Sequence, residues 1–277
     1  MNIWNKVSQN CSREVTKKYS TSFYTSIKLL DKKIQTPVHS IYGFVRAADE
    51  IVDTFHGSNK KQLLNEFERD CYLAIDRKIS LNPILHSFQQ VVHSYNIDIE
   101  LIDTFLKSMK MDLDQSTHTT STYQQYIIGS AEVVGLMCLK VFVNGDEKTF
   151  QQLKPYAQSL GSAFQKINFL RDINSDFVEL GRCYFPNIDI TNLDLKAKSS
   201  IERDINKDFE MAYQGILLLP KSSRLGVLIA YNYYKSLFEV IKLVNPTDLF
   251  IKRHRISNVK KLQIILKSSL KHKLNLI

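Results

Sequence analysis

Segments with apolar residues spaced three and four apart fill most of this chain, and few residues interrupt them. This spacing is typical of amphipathic helices. The 277 residues include only nine glycines and six prolines, whereas turn-rich β folds need many of both. Because 44% of the residues are apolar, the chain can bury a substantial core. The sequence therefore predicts an all-α protein.

The prolines and short polar linkers divide the chain into roughly eight to eleven helices. Inside one of them Gly129 and Gly135 each cost roughly 1 kcal/mol relative to alanine, so they require a packing or substrate contact. No internal repeat or long linker separates the segments, which predicts one continuous domain. We expect helices at 3–18, 22–30, 38–55, 60–77, 84–95, 99–112, 119–143, 147–178, 198–217, 222–243 and from 257 to the end.

The formal charge of +9 is compatible with nucleic acid, anionic lipid or a phosphate-rich substrate. No nucleic-acid-binding signature is present, so we expect no nucleic-acid partner. The four cysteines lack zinc-site spacing, which favours a reducing compartment. We find no signal peptide and no apolar stretch of about 18 residues. We therefore expect a cytoplasmic protein, and leave open its peripheral association with the inner face of a membrane.

Two aspartates lie four residues apart in a segment predicted to be helical, at Asp49 and Asp53. This spacing places their side chains about 40° apart on one helix face, one turn above the other. Tyr42 and Arg46 share that face. Carboxylates, a guanidinium and a phenol are therefore presented together.

A second segment repeats this pattern with Asp172 and Asp176. Stepping about 100° per residue places Gln165 and Asn168 within about 80° of both aspartates on a continuous helix. Mg²⁺ prefers oxygen ligands and takes one or two carboxylates from a protein while phosphates supply the rest. Two such stripes around a diphosphate predict a Mg²⁺ site, with Mn²⁺ as the alternative cation.

The same aspartate spacing also occurs where we expect no site, at Asp204 and Asp208. The positions that match Gln165 and Asn168 are alanine and serine there, so the polar stripe is missing. We interpret this third pair as surface charge. The aspartate spacing alone is weak evidence for a metal site, and the inference rests on the flanking residues.

Both stripes resemble motifs of the squalene/phytoene synthase family. Its first motif is Arg-x-x-Asp-(Asp/Glu)-x-x-Asp, and its second runs from Gln-x-x-Asn through Leu-Arg-Asp-x-x-x-Asp to Gly-Arg-x-Tyr-x-Pro. The likeness spans residues 16 to about 261. It implies an isoprenoid-synthase-type helical bundle around a central cavity, formed by a single head-to-head trans-isoprenyl diphosphate synthase domain over 1–277.

The resemblance also implies roles for individual residues. Expected catalytic residues are Tyr42, Arg46, Asp49, Asp53, Asp172 and Asp176, and the four aspartates with Asn168 are the expected metal ligands. Expected substrate-binding residues are Ser20, Ser22, Phe23, Arg46, Gln165, Asn168, Arg171, Tyr233, Arg253 and Arg255.

Two of these assignments leave alternatives, and the sequence departs from the family pattern in one segment. The hydroxyls of Ser20 and Ser22 suit a diphosphate, but serine also caps helices. One of Arg253 and Arg255 matches a family arginine, and the sequence does not separate them. The family often has a tyrosine at the position of Ile128 and a glycine at that of Glu132. Tyr123 and Tyr126 lie on other helical phases, and we interpret them as core.

The implied reaction joins two prenyl diphosphates head to head. One donor loses diphosphate and alkylates the second to give a cyclopropyl diphosphate, which ionises again and rearranges. We expect geranylgeranyl diphosphate as substrate and phytoene as product, within carotenoid biosynthesis, with no NADPH. A dehydrosqualene or squalene synthase that uses farnesyl diphosphate is the alternative. A non-catalytic relative that acts as an assembly factor is a lesser one.

The C-terminal segment from about residue 257 alternates apolar residues with lysines. Such a helix either packs on the bundle with solvated lysines or rests on anionic lipid.

Overall fold

A computed structural model describes residues 2–55, 59–114, 117–186 and 193–274. Within these ranges the chain is helical, and its only β-type pairing is an isolated bridge between Thr117 and Cys183. The helices are α1 Ile3–Tyr19, α2 Thr21–Ile27, α3 Lys32–Asp53, α4 Lys60–Arg77, α5 Pro83–Tyr95, α6 Ile99–Asp114, α7 Thr120–Ile127, α8 Val133–Phe142, α9 Glu147–Arg171, α10 Leu195–Leu218, α11 Lys221–Lys242 and α12 Asn258–Lys273.

Most helices begin at residues whose side chains accept hydrogen bonds from the first turn. Asn82 accepts from the N–H groups of Ile84 and Leu85, with Pro83 at the first helical position of α5. Asp146 caps α9 by accepting from the N–H of Thr149. Such caps satisfy donors that have no partner inside the helix.

Helix α3 begins six residues earlier than we expected, and Pro37 lies inside it. The Asp31 side chain accepts from the Lys33 N–H at 2.9 Å and caps the helix at that earlier point. A proline near a helix start removes one intrahelical hydrogen bond, which α3 tolerates because its middle is buried on several neighbours.

The expected helix over 119–143 contains a π-helical turn, Ile128–Glu132, between α7 and α8. Gly129 in this turn packs on α6, where an added Cβ would lie 2.5 Å from Ser108 Cβ and 2.7 Å from the Thr104 carbonyl oxygen. Gly129 therefore has a packing reason for its missing side chain. Such single wide turns occur within α-helices, frequently at functional sites.

Thr120–Phe142 is long and apolar enough to cross a membrane by length and composition, with a mean hydropathy of 1.4. Our expectation that no segment passes this test was therefore wrong. Half of the apolar window is buried inside the bundle, where α8 packs against α9 and α6. Buried core helices have the same composition.

One core cluster runs through the bundle from α2 to α11 and encloses a cavity of about 450 Å³. Its walls come from α2, α3, α8, α9, α10 and α11. Polar residues line one end, including Tyr42, Arg46 and Asp49, and the far end is apolar, with Phe142 and Leu153. We call the polar end the mouth.

Candidate active site

The first aspartate pair ends α3, and Tyr42, Arg46 and Asp49 line the mouth. The Arg46 guanidinium donates to Glu50 Oε2 at 2.6 Å and lies 3.8 Å from Asp49 Oδ2. Asp53 follows one turn after Asp49 at the end of the helix. This stripe therefore has the arrangement that the spacing predicted.

Asp49 has a strongly perturbed carboxyl. About a third of its side chain is exposed (32%), toward the open mouth. Burial of the remainder raises the pKa of Asp49 to about 7, against the lowering effect of Arg46, and the nearby Asp53 and Asp112 raise it further. An adjacent cation would relieve this repulsion and favour the ionised form.

The second aspartate pair does not continue a regular helix, contrary to our expectation. α9 ends at Arg171, and Asp172 follows as its C-cap with φ −101° and ψ 10°. Asp176 lies in a π-helical turn, Ser175–Glu179, and its N–H donates to the Asp172 carbonyl at 2.9 Å. The two side chains thus keep one turn of separation although the helix is interrupted between them.

Two arginines bind the Asp172 carboxylate. Arg171 contacts both of its oxygens, and Arg253 Nε lies 2.7 Å from Oδ1. Arg171 and Arg253 also line the cavity. Arg255 is exposed and lies near Lys261, whose pKa is lowered by burial and by this second positive charge. The structure therefore brings Arg253 to the mouth and leaves Arg255 outside.

The two aspartate pairs come close together beside the mouth, and of the four aspartates Asp49 is the one that lines the described cavity. Burial raises the pKa of Asp176 to about 7, and the negative charges of Asp172 and of Asp53 on α3 add to this effect. Arg182 joins the two segments, since its Nη1 donates to Asp53 Oδ1 at 2.8 Å and its N–H donates to the Asp176 carbonyl at 2.7 Å. Arg182 belongs to the Gly-Arg-x-Tyr-x-Pro segment.

A fifth carboxylate, Asp112, lies beside these pairs, and sequence reasoning missed it. Tyr126 donates to its Oδ2 at 2.6 Å and Tyr184 to its Oδ1 at 3.2 Å. Burial raises the pKa of Asp112 to about 6, although Arg182 and both hydroxyls lower it. Asp112 has no aspartate four residues before or after it, so the spacing pattern does not mark it. We interpreted Tyr126 as core. Its phenol hydroxyl contacts Asp112, whereas Ile128 has no hydroxyl to offer.

A chain of neutral polar groups lines the opposite wall of the mouth. Gln165 Nε2 donates to Ser130 Oγ at 3.0 Å, and Asn168 Nδ2 donates to Gln165 Oε1 at 3.3 Å. The Tyr234 hydroxyl donates to Asn168 Oδ1 at 3.2 Å. These contacts hold the amides at the mouth.

Tyr234, rather than the predicted Tyr233, lies in the cavity. Its ring stacks on Phe164 with centroids 3.9 Å apart. Tyr233 is 3% exposed and packs with Ile229 and Ile264. Its hydroxyl has no hydrogen-bond partner among the described residues. Consecutive residues on a helix point about 100° apart, so Tyr233 and Tyr234 lie on different faces of α11. The prediction named the tyrosine on the face that packs against α12.

The serine segment has both of the features that we weighed. Ser20 Oγ accepts from the Phe23 N–H at 3.2 Å and so caps α2, and Ser20 also lines the mouth. Phe23 lines the cavity and packs near Tyr234. Ser22 is half-buried on α2 and is not among the lining residues of the described cavity.

The third aspartate pair is not simple surface charge. The Lys166 amine binds both Asp204 and Asp208, and Ser162 Oγ donates to Asp208 Oδ2 at 2.8 Å. Asp204 is 56% exposed, but Asp208 is only 19% exposed. This pair therefore joins α10 to α9, which the sequence did not indicate.

Within the described ranges, no three carboxylate, histidine or cysteine side chains approach closely enough to hold a metal ion by themselves. The mouth and its immediate surroundings instead offer separate carboxylates, and three of them, Asp49, Asp112 and Asp176, have raised pKa values. This donor set fits cations that take one or two protein carboxylates each and complete their coordination with ligand oxygens and water.

Comparisons with known proteins follow this geometry. The family model "Squalene/phytoene synthase" matches residues 16–260. The chain is 27% identical to the chloroplastic phytoene synthase of Daucus carota, over 95% of this chain and 70% of that protein. It is 27% identical to the 15-cis-phytoene synthase of Synechocystis, over 90% of this chain and 81% of that protein.

Solved structures share the fold. A dehydrosqualene synthase in complex with a ligand superposes with a TM-score of 0.82 at 20% identity, covering 97% of this chain and 98% of that one. The squalene synthase HpnC from Alicyclobacillus acidocaldarius has a TM-score of 0.75 at 17% identity, covering 87% and 95%. Both have the helical bundle that we expected from the motifs. The chain belongs to the squalene/phytoene synthase family.

Proposed function

We propose that this chain is a prenyltransferase that condenses two geranylgeranyl diphosphates head to head to give phytoene. The observation that carries the proposal is that two aspartate stripes come close together beside the mouth of an apolar cavity, which Asp49, Gln165 and Asn168 of these stripes line. Charged groups suit a diphosphate there, and the apolar walls suit prenyl chains. Phytoene synthases are among the relatives of the chain.

The depth of the cavity supports a twenty-carbon substrate. Asn168 at the mouth and Leu153 at the far end lie on the same helix. The fifteen helical steps from one to the other span about 22 Å, given a rise of about 1.5 Å per residue. Carbon–carbon bonds of about 1.5 Å make an extended prenyl unit about 5 Å long. A geranylgeranyl chain is then about 20 Å long and a farnesyl chain about 15 Å.

The mouth residues have distinct parts in the proposed reaction. Asp49, Asp53, Asp172, Asp176 and Asn168 would hold Mg²⁺ or Mn²⁺, which when bound neutralises the departing diphosphate. Arg46, Arg171 and Arg253 lie where their guanidinium groups can donate to diphosphate oxygens. Ser20 and Tyr234 add hydroxyl donors on the same side.

The walls of the cavity protect the reactive carbons. Phe23, Phe164 and Tyr234 form an aromatic cluster just below the mouth, with the Phe23 and Phe164 centroids 6.1 Å apart. Aromatic faces stabilise a nearby positive charge, and the largely apolar walls below them disfavour water that would trap a carbocation. The cyclopropyl diphosphate formed first remains in this cavity until the second ionisation, and loss of a proton then ends the reaction without a nicotinamide.

Product analysis tests the proposal. The purified chain is incubated with Mg²⁺ and either geranylgeranyl or farnesyl diphosphate, and the extracts are separated by chromatography. We expect phytoene from geranylgeranyl diphosphate. Dehydrosqualene or squalene from farnesyl diphosphate, with no phytoene, would instead identify the shorter-chain enzyme. No hydrocarbon from either diphosphate, with folding intact, would support a non-catalytic role.

A further inference from the structure

Helix α12 has two apolar faces, of which only one is buried. On the inner face Ile264 packs with Ile229 and Tyr233 of α11. Asn232 Nδ2 donates to Ser268 Oγ at 3.1 Å on the same side. These contacts hold α12 on the bundle and account for its inner face.

The outer face of α12 carries four aliphatic side chains with no cover. Val259, Leu262, Leu266 and Leu270 are 67%, 57%, 63% and 60% exposed. Stepping about 100° per residue places them within about 80° of one another, opposite Ile264. Single exposed apolar residues are ordinary, but a continuous stripe along a helix marks an interaction surface.

The charge around this stripe has one sign. After Asp248 the sequence contains eight lysines and arginines and no acidic residue. Lys260, Lys267 and Lys271 project from one side of the stripe, and all three are exposed. Aliphatic residues beside a row of lysines are the pattern of helices that lie in the interface of an anionic bilayer.

We propose that the outer face of α12 docks on an anionic lipid bilayer. A second copy of the chain fits this face poorly, since pairing two such stripes would bring like-charged lysine rows together. The aliphatic side chains enter the acyl boundary, while the lysines contact lipid phosphates. This inference concerns binding only and does not depend on the proposed reaction.

The cavity mouth lies near the start of α12, on the inner side of that helix. Lys261 Nζ donates to Thr21 Oγ1 at 3.3 Å, so α12 lies beside α2. The neighbouring Ser20 and Phe23 line the mouth, and Arg253 of the mouth precedes α12 by only a few residues. A prenyl substrate or a hydrocarbon product, both sparingly soluble, would exchange with the bilayer over a short distance.

Vesicle flotation of the full chain tests the docking surface. Vesicles contain either phosphatidylcholine alone or phosphatidylcholine with about 30% phosphatidylglycerol, a fraction chosen to give a negative surface potential. We expect binding to the anionic vesicles that weakens with salt, and little binding to the neutral ones. The double variant Leu262→Gln/Leu266→Gln should bind at least about tenfold more weakly, because it removes apolar area from the lipid contact.

The matched control is Leu81→Gln, which changes a leucine that is 91% exposed in another part of the chain. It should bind like the unchanged protein, and circular dichroism should show equal folding of all variants. The proposal is overturned if the unchanged protein ignores anionic vesicles at low salt, or if the double variant binds as well as the control. Concentration-dependent dimerisation that the double variant abolishes, without vesicle binding, would assign the face to a second copy.

Discussion

Asp172 is held by guanidinium groups on two sides, Arg171 from its own segment and Arg253 from the loop before α12. A diphosphate entering the mouth offers both arginines a second anion. They can then shift from the carboxylate toward the ligand and leave aspartate oxygens for a cation. The same side chains would thus stabilise the mouth before substrate arrives and bind the diphosphate afterwards.

Single amide substitutions in the stripes test the proposed metal ligands. We expect Asp49→Asn and Asp172→Asn each to lower kcat by at least about 100-fold, because each removes a carboxylate proposed to hold the cation that neutralises the departing diphosphate. The control is Asp204→Asn. Asp204 lies in a nearly identical sequence context, but among the described residues it pairs only with Lys166. This variant should change turnover by no more than about fivefold, as for an exposed ion pair. Equal losses in all three would contradict the assignment.

The two adjacent tyrosines of α11 provide a second matched pair. Tyr234→Phe removes a hydroxyl that contacts Asn168 at the mouth, so we expect about a three- to tenfold rise in KM, the usual value of one hydrogen bond. Tyr233→Phe removes a buried hydroxyl without a partner among the described residues, and the kinetics should not change. Steady-state kinetics on both variants makes the comparison. A larger rise in KM for Tyr233→Phe than for Tyr234→Phe would contradict the placement of Tyr234 at the mouth.

Helices that carry the site are interrupted where they reach it. α9 ends one residue before Asp172, and the π-helical turn Ile128–Glu132 lies across from Gln165 at Ser130. Apolar periodicity locates a helix but does not reveal such local changes in its winding. Eight of the eleven expected segments correspond to a helix within about four residues of its bounds, whereas α3 begins six residues before the expected start and α9 ends seven residues before the expected end. The expected helix over 119–143 corresponds to two helices and a turn.

Two glycines of this wall differ in how tightly they are packed. Gly129→Ala would force a Cβ to within 2.5 Å of Ser108 Cβ, and we expect a loss of about 1–3 kcal/mol in the free energy of unfolding. At Gly135 the nearest atom is the Ala157 carbonyl oxygen at 3.1 Å. Gly135→Ala should cost less, because alanine also gains roughly 1 kcal/mol of helix propensity. Urea denaturation measures both, and equal losses would contradict this packing.

The length of α9 allows the chain-length proposal to be tested inside the cavity. Ala157 lines the cavity about 16 Å below Asn168 by helical rise. We expect Ala157→Phe to block the last prenyl unit of a geranylgeranyl chain and to spare a farnesyl chain. The ratio of kcat/KM for farnesyl over geranylgeranyl diphosphate should rise at least about tenfold.

The control for this variant is Ala157→Ser, which keeps a small side chain at the same site. It should leave the substrate ratio unchanged. Unaltered use of geranylgeranyl diphosphate by Ala157→Phe would show that the chain does not extend past this point.

At the scale of the whole molecule, the bundle forces carboxylates from distant parts of the sequence together. Asp49, Asp112 and Asp176 belong to three separate segments. Burial raises all three pKa values, and repulsion from neighbouring aspartates adds to this effect. The fold therefore stores electrostatic repulsion at the mouth. A cation bound as we propose would relieve it, and metal binding and stability would then be linked.

This linkage predicts that the stability of the metal-free fold decreases as pH rises. The three carboxyls have pKa values of about 7, 6 and 7 in the folded chain, against 3.8 for an ordinary aspartate. Their contribution to stability is fully present below about pH 4 and is lost as pH rises through about 6 to 7. With EDTA present, we expect the unfolding midpoint to fall by about 5 °C between pH 5.5 and pH 8.

Added Mg²⁺ with inorganic diphosphate should raise the midpoint more at pH 8 than at pH 5.5. Asp49→Asn and Asp176→Asn should flatten the curve measured with EDTA, and Asp204→Asn should not. Differential scanning fluorimetry follows all of these changes. A midpoint that is independent of pH, or the same slope in all variants, would contradict the coupling.

The sequence by itself determined the all-α class, the approximate helix bounds and both aspartate stripes, because periodicity and spacing are local properties of the chain. Only the tertiary structure decided which of Tyr233 and Tyr234, and which of Arg253 and Arg255, lies at the mouth. It alone placed Asp112 beside the two pairs and Lys166 between Asp204 and Asp208. These choices depend on helix rotation and on contacts between distant segments, which no local pattern encodes.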